Sequence, residues 1–233
     1  FKILCKKIIN FSELIIFQNI DDYNFFKKIN KISSYIITNG SGVDIKKFST
    51  SVLPPKQIVV TMIAKIIPQK GIAEYFQAIE KIKIKNKSIN FKIIGQKVNY
   101  SNLNSSLEKL IQMKFVKYFF FTENIKKQIE KSSIVVLPSY GEGTPRSLLE
   151  AMSMSRPIIT SNAPGCKEVV INGYNGFIAK KKSVQDLIKK ILDLTRNYRK
   201  LVIMGKNSRK IVKKKYNSKQ VSREIVKYLN DNI

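Results

Sequence analysis

Two glutamates and two lysines, each just beyond an apolar run, are the residues of this 233-residue chain whose types and spacing could do chemistry. Glu142 and Glu150 stand in the run LPSYGEGTPRSLLEAMSMSRPIITSNAPGCKE, residues 137–168. Between them Thr144 reads as a helix N-cap and Pro145 as the first helical residue, where a fixed φ and a missing N–H are tolerated. Leu148, Leu149 and Met152 then recur at helical spacing until Pro157. A helix N-terminus that follows a parallel strand offers unpaired N–H groups and a partial positive charge, which suits a phosphate. Two carboxylates beside such a site fit hydroxyl groups better than phosphate, because like charges repel. A carboxylate can accept from both hydroxyls of a vicinal diol, each charge-assisted bond contributing roughly 1.5–3 kcal/mol. A diphosphate between two diol-bearing rings describes a nucleotide sugar. Taken alone, a Glu-x7-Glu pair is more often two exposed residues around an ordinary helix; the elements around it decide the matter.

Those elements alternate. Gln57 to Ala64 (QIVVTMIA) is an apolar, β-branched run suited to a buried parallel strand, followed by Lys65, Pro68, Lys70-Gly71 and a helix from Ile72 to about Lys83. NFKIIG, VKYFFF, IVVLPS, PIITS and GFIA repeat the strand pattern with helical stretches between most of them. Such alternation predicts an α/β domain with a doubly wound parallel sheet, whose ligands sit at the carboxyl ends of the strands. Lys65, Lys70 and Glu142 all follow strands, so one crevice can gather them. Upstream, SYIIT (Ser34 to Thr38) reads as an alternating strand before Asn39-Gly40-Ser41-Gly42-Val43-Asp44 and Phe48. Leu14 to Gln18 reads as a further strand, with a helix starting near Asp21-Asp22. Downstream come helices at about 183–195, 198–216 and 218–229.

The combined pattern resembles the donor-binding half of the retaining GT-B glycosyltransferases of family 4. The matching residues are Glu142, Gly143, Pro145, Ser147, Glu150, Ala151 and Met152, then Arg156-Pro157, Pro164-Gly165-Cys166 and Glu168. Asn172 to Phe177 fits the family's N-G-x-N-G-F/L turn, Asn39 to Phe48 its N-G-x-D-x-x-x-F signature, and Met204-Gly205 its M-G before a basic helix. Ser155 departs from the Gly usual before the basic residue, and Lys65 stands where the family has Arg in A-R-L-x-x-x-K-G. Lysine lacks the bidentate fork of arginine, so weaker phosphate geometry is expected there. Within the family the pattern is most similar to enzymes that extend undecaprenyl-diphosphate-linked oligosaccharides or capsular repeats.

The resemblance implies a Rossmann-like second domain of a GT-B fold over residues 39–216. Residues 1–38 would be a remnant of the acceptor domain, and 217–233 a helix crossing back toward it with Val221, Ile225 and Leu229 partly unpacked. It implies Lys65, Lys70 and Glu142 as the catalytic set, with Lys65 and Lys70 on the leaving diphosphate and Glu142 on sugar hydroxyls. Gly143, Thr144, Pro145, Ser147 and Leu148 would cradle sugar and phosphate, and Glu150 would take the ribose diol. No metal and no cofactor are expected, the nucleotide sugar (UDP-linked) being a substrate. The acceptor would be a lipid-linked glycan or polysaccharide at the inner face of the cytoplasmic membrane. With most of the acceptor domain absent and no initiator Met, the chain reads as a fragment that alone catalyses nothing. The other readings are a non-catalytic donor-binding module, a nucleotide-sugar epimerase, and a basic nucleic-acid-binding protein.

Composition bears on these. Lys and Arg number 43 against 16 acidic residues, a formal charge of +27, with no histidine. The excess is lysine spread over every helix, which favours anionic headgroups and sugar nucleotides by long-range attraction. A pI near 10.0 also suits nucleic acid, but no helix-turn-helix, RNP or zinc signature accompanies it. The epimerase reading lacks acid and base residues to carry it. Cys5 and Cys166 are the only cysteines, fitting a reducing compartment without a disulfide. No Asp-x-Asp occurs, which sets aside the metal-dependent GT-A class, and no apolar run approaches the roughly 18 residues of a membrane span.

Overall fold

The structure is a computed structural model describing residues 2–53, 57–98, 100–120, 122 and 124–232. Phe1, Phe121 and Ile233, counted above in the N-terminal piece, a strand and the last segment, lie outside the described residues. The N-terminal piece holds α1 (Lys2–Phe11), β1 (Ile15–Phe17), α2 (Ile20–Lys27) and β2 (Tyr35–Ile37), with β1 and β2 paired in a two-stranded parallel sheet. The rest runs β3 (Val59–Ile63), α3 (Ile72–Lys85), β4 (Asn90–Ile94), α4 (Ser101–Gln112), β5 (Val116–Phe119), α5 (Ile125–Glu130), β6 (Ile134–Leu137), α6 (Arg146–Ser153), β7 (Ile158–Ser161) and β8 (Gly176–Ala179). Three helices close the chain: α7 (Val184–Thr195), α8 (Tyr198–Lys215) and α9 (Ser218–Asn232).

β3 to β8 form one six-stranded, all-parallel sheet in the order β5-β4-β3-β6-β7-β8. Renumbered from one, this is 3-2-1-4-5-6, the order of dinucleotide-binding folds. The doubly wound expectation is met. The strands are mostly apolar because helices cover both faces: Val60, Met62, Ile93, Val135, Val136, Ile158 and Ile159 are fully buried, while β4 and β5 each carry a lysine, Lys92 and Lys117. Around them α3 packs on α4 and α7, and α6 packs on α8. The order reverses between β3 and β6, and the crevice of such a sheet opens at that reversal.

The end of the sheet opposite the crevice is tied by Arg156, which is wholly buried and donates to the carbonyls of Ile129, Glu130, Ser51, Val52 and Met154 and to Ser51 Oγ. Burial lowers its pKa to about 10. Ser155 beside it adopts φ 60°, the left-handed region, which explains why glycine is usual there. Size matters less at this position than backbone conformation. The α8 glycine, Gly205, lies against Ser155 O and the Pro157 ring, so α8 packs on the turn after α6 only without a Cβ.

Residues 39–44 are structural. Asp44 Oδ1 accepts from the N–H groups of Lys46 and Lys47, which lowers its pKa, and Phe48 enters the core. Val43 donates to Tyr216 O at 2.8 Å and accepts from Ser218 N–H at 3.1 Å, pinning the α8–α9 joint. One expectation for α9 is corrected: Val221 is 2% exposed and packed, because that joint presses the first turn onto the domain. Ile225 and Leu229 are half-buried, and the exposed apolar residue is Val226. The N-terminal piece also exposes apolar groups, Ile3, Leu4, Ile8 and Phe11 of α1.

Candidate functional site

The crevice at the strand reversal is built from the segments after β3 and β6. After β3, Lys65 is exposed, and a short 3-10 turn (Pro68–Lys70) leads through Gly71, at φ 69°, into α3. A Cβ on Gly71 would collide with Pro138 O, so only glycine lets this turn lie against the β6 segment. Tyr140 N–H donates to Gln69 O at 2.8 Å and Ser139 Oγ to the same carbonyl at 3.0 Å, joining the two segments. Across this junction Lys70 Nζ meets both oxygens of Glu142, at 2.7 and 2.8 Å. The two side chains are 26% and 14% exposed. Of the expected catalytic set, Lys70 and Glu142 are therefore in contact, and Lys65 stands exposed at the same edge of the sheet.

The α6 start corrects the sequence reading. The helix begins at Arg146, with Pro145 as its N-cap residue at φ −72° and ψ 100° and no side-chain cap. Thr144 does not cap: its Oγ1 donates instead to Gln18 O at 3.2 Å, drawn there because Gly40 packs directly on its side chain. The N–H groups of Arg146 and Ser147 fall in the first turn, where no intrahelical acceptor exists. Leu148 N–H already donates to Pro145 O at 3.0 Å, and its side chain is core, which takes Leu148 out of the expected cradle.

Glu150 projects from α6 and is 8% exposed. Arg146 Nε donates to its Oε1 at 3.2 Å from the preceding turn. Burial raises the Glu150 pKa, opposed by Arg146 and, more weakly, Lys47. A desolvated carboxylate whose hydrogen-bonding cation is itself largely exposed is suited to accept further hydrogen bonds from a ligand's hydroxyls.

The β7 turn completes the wall. Gly165, at φ 73°, lies against the carbonyls of Glu142 and Gly143, and Glu142 N–H donates to Pro164 O at 3.0 Å. Cys166 is buried and free, its thiol pushed up to about 11 by burial; Cys5 is also free. At the rim, Tyr140 donates to Glu74 Oε1, and Lys181 and Lys182 sit over its ring at 5.7 and 5.1 Å. Among the described residues no cluster of three or more His, Cys, Asp or Glu could hold a metal ion.

Residues from the N-terminal piece also reach this loop, and sequence reasoning missed them. Asn19, Gln18 and Asp21 precede or open α2, where Asn19 would read only as a cap for the helix near Asp21-Asp22. Asn19 Nδ2 lies 3.2 Å from Glu142 O and 3.1 Å from Gly143 O. Gln18 Oε1 fills the space where a side chain on Gly143 would stand, and Asp21 pairs with Lys167 at 2.6 Å.

Comparison with known proteins follows the same outline. A family model described as "Glycosyl transferases group 1" matches residues 44–211. The chain is 29% identical over 202 residues, 81% of its length and 52% of the other's, to the Campylobacter jejuni N,N'-diacetylbacillosaminyl-diphospho-undecaprenol alpha-1,3-N-acetylgalactosaminyltransferase. It is 27% identical over 205 residues to the Escherichia coli UDP-Gal:alpha-D-GlcNAc-diphosphoundecaprenol alpha-1,3-galactosyltransferase, covering 79% of this chain and 51% of that one. The chain thus spans about half the length of these relatives. Among solved structures, Anabaena Alr3699/HepE in complex with UDP and glucose superposes with a TM-score of 0.88 at 19% identity, covering 99% of this chain and 68% of that one. The sucrose-phosphate synthase of Thermosynechococcus elongatus gives 0.86 at 18% identity, over 99% and 61% of the two chains. These likenesses show the fold, the α/β unit with a six-stranded parallel sheet found in GT-B proteins. On the family match over residues 44–211, this chain belongs to the group 1 glycosyl transferases.

Proposed function

We propose that this chain supplies the donor-binding half of a retaining glycosyltransferase that needs neither metal nor cofactor. The full protein would move a sugar from a UDP-linked donor to a lipid-linked glycan or polysaccharide. The observation that carries this reading is the Lys70–Glu142 pair across the strand reversal, with buried Glu150 on the helix behind it. The donor diphosphate binds Lys70, Lys65 and the N–H groups of Arg146 and Ser147, which stabilise the charge that develops as the sugar–phosphate bond breaks. As phosphate takes a share of Lys70, Glu142 is released to accept from sugar hydroxyls, with Gly143, Thr144, Pro145 and Ser147 lining the approach. Glu150 accepts from the two ribose hydroxyls, displacing Arg146.

The acceptor hydroxyl is held by the domain that accounts for the relatives' additional length. Residues 1–38 belong to that domain in this reading, supported by the apolar face that α1 leaves exposed, and α9 runs back toward them. A charge of +27 suits an anionic cytoplasmic membrane face; among the described residues no helix is long and apolar enough to cross a membrane. The test is calorimetric titration of the full-length protein with UDP and uridine. UDP is expected to bind at least tenfold more tightly than uridine, and Lys70→Ala to erase most of that difference while leaving uridine unchanged. Equal affinity of wild type for both ligands would remove the diphosphate from this crevice.

A further inference from the structure

We infer that Asn19 is a positioning residue: its carboxamide clamps the main chain of Glu142 and Gly143, and so sets the Glu142 carboxylate against Lys70. The inference rests on the donor-site reading above and adds to it a residue outside the nucleotide-binding domain.

Asn19 is 4% exposed and stands at the N-cap of α2 in extended conformation. Its Oδ1 accepts from Asp22 N–H at 2.8 Å, which is the whole of a cap's task. Serine or aspartate would do that equally well. The nitrogen does something else. Nδ2 faces three acceptors: Asp22 Oδ2 at 2.8 Å, Glu142 O at 3.2 Å and Gly143 O at 3.1 Å. An amide carries two hydrogens, so one goes to Asp22 and the other is shared between the two carbonyls. The orientation is fixed, because a flipped amide would set its oxygen against three oxygens and lose the cap.

The two carbonyls are also gripped from the other side. Gly165, in its left-handed conformation, presses on the same pair of oxygens, and Pro164 O takes the Glu142 N–H. The backbone of Glu142 is thus held between the N-terminal piece and the β7 turn, leaving its side chain to reach Lys70. A group that meets hydroxyls of a reacting sugar must be held to within about half an ångström. Asn19 supplies one side of that hold from 123 residues away.

The decisive variant is Asn19→Asp, which keeps an oxygen for the helix cap but turns the donor into an acceptor facing two carbonyls and the Asp22 carboxylate. Asp21→Asn serves as the control, since it breaks the Asp21–Lys167 ion pair between the same two parts of the chain and leaves the clamp intact. In the ligand-free full-length protein, amide hydrogen exchange over residues 141–145 is expected to speed up at least tenfold in Asn19→Asp and to stay within twofold in Asp21→Asn. Hydrolysis of UDP-N-acetylglucosamine and UDP-glucose is expected to slow 10- to 100-fold in Asn19→Asp, with UDP affinity within threefold of wild type, and to stay within twofold in Asp21→Asn. Unchanged exchange in Asn19→Asp, or equal losses in both variants, overturns the clamp. A wild type that binds no UDP sinks the donor-site reading instead, and the exchange measurement still decides the clamp.

Discussion

Lys70 and Glu142, 72 residues apart, form a two-pronged ion pair that bridges the segments following β3 and β6. Neither residue is fully solvated, and the pair is the most enclosed lysine–carboxylate contact among the described residues. On the proposed function it serves as a placeholder: the cation that would meet a diphosphate is neutralised by the carboxylate that would meet a sugar.

Removing one member should therefore cost more than an exposed pair is worth. Lys70→Ala leaves a carboxylate that is 14% exposed without its cation, an expected loss on the order of 1–3 kcal/mol. Lys70→Ala combined with Glu142→Gln should cost clearly less than the two single changes added together. Urea denaturation of the four proteins measures this, and strict additivity would mean the pair is not energetically coupled.

Glu150 makes a prediction in which stability and binding move in opposite directions. Burial holds its pKa above the unfolded value. Its ionisation therefore destabilises the fold, with stability falling as pH rises through the unfolded and then the folded pKa. Glu150→Gln should melt above wild type at pH 7–8, and the difference should shrink toward pH 4. The same change should weaken UDP binding by about 2–3 kcal/mol, roughly 30- to 150-fold. A 2′,3′-dideoxy nucleotide should bind wild type about as poorly, with little further loss when both changes are combined. Additive losses by calorimetry would take Glu150 away from the ribose.

Gly165→Ala should damage the site without touching a ligand-facing side chain. The new Cβ would meet the carbonyl oxygens of Glu142 and Gly143, and φ 73° would be strained besides. The expected cost is on the order of 3 kcal/mol, accompanied by faster amide exchange through residues 141–145. A thermal midpoint within a degree or two of wild type would show that the turn relaxes freely.

Ser155→Gly should do the reverse. Relieving a left-handed serine gains about 1 kcal/mol, offset in part by loss of the Ser155–Thr50 hydroxyl contact at 3.2 Å. A net gain of about 0.5 kcal/mol in the denaturant midpoint is expected, with UDP affinity unchanged because the residue lies at the end of the sheet remote from the crevice.

Strand and helix positions were legible because a buried parallel sheet demands apolar, β-branched runs separated by helices, and this chain supplies them within a residue or two of where β3 to β8 lie. The strand order was not legible, since periodicity says which residues are buried and nothing about which strands are neighbours. At the site, Lys70 and Glu142 could be named from their places after strands, but not their mutual contact. The α6 start was misjudged because Thr-Pro reads locally as cap and first turn, whereas Thr144 is held by Gln18 and Gly40 from distant sequence. Asn19 escaped notice for the same reason: its cap function is local, and its contacts with Glu142 and Gly143 are tertiary.

Val43 is gripped on both sides of one residue, by Tyr216 O and Ser218 N–H. In mechanical terms this is a splice. The chain entering the large sheet and the chain leaving it are lashed together at a single rung, three residues from the Gly40 that abuts Thr144. The start of α9 is thereby anchored within a few residues of the point where Gly40 abuts the loop carrying Glu142.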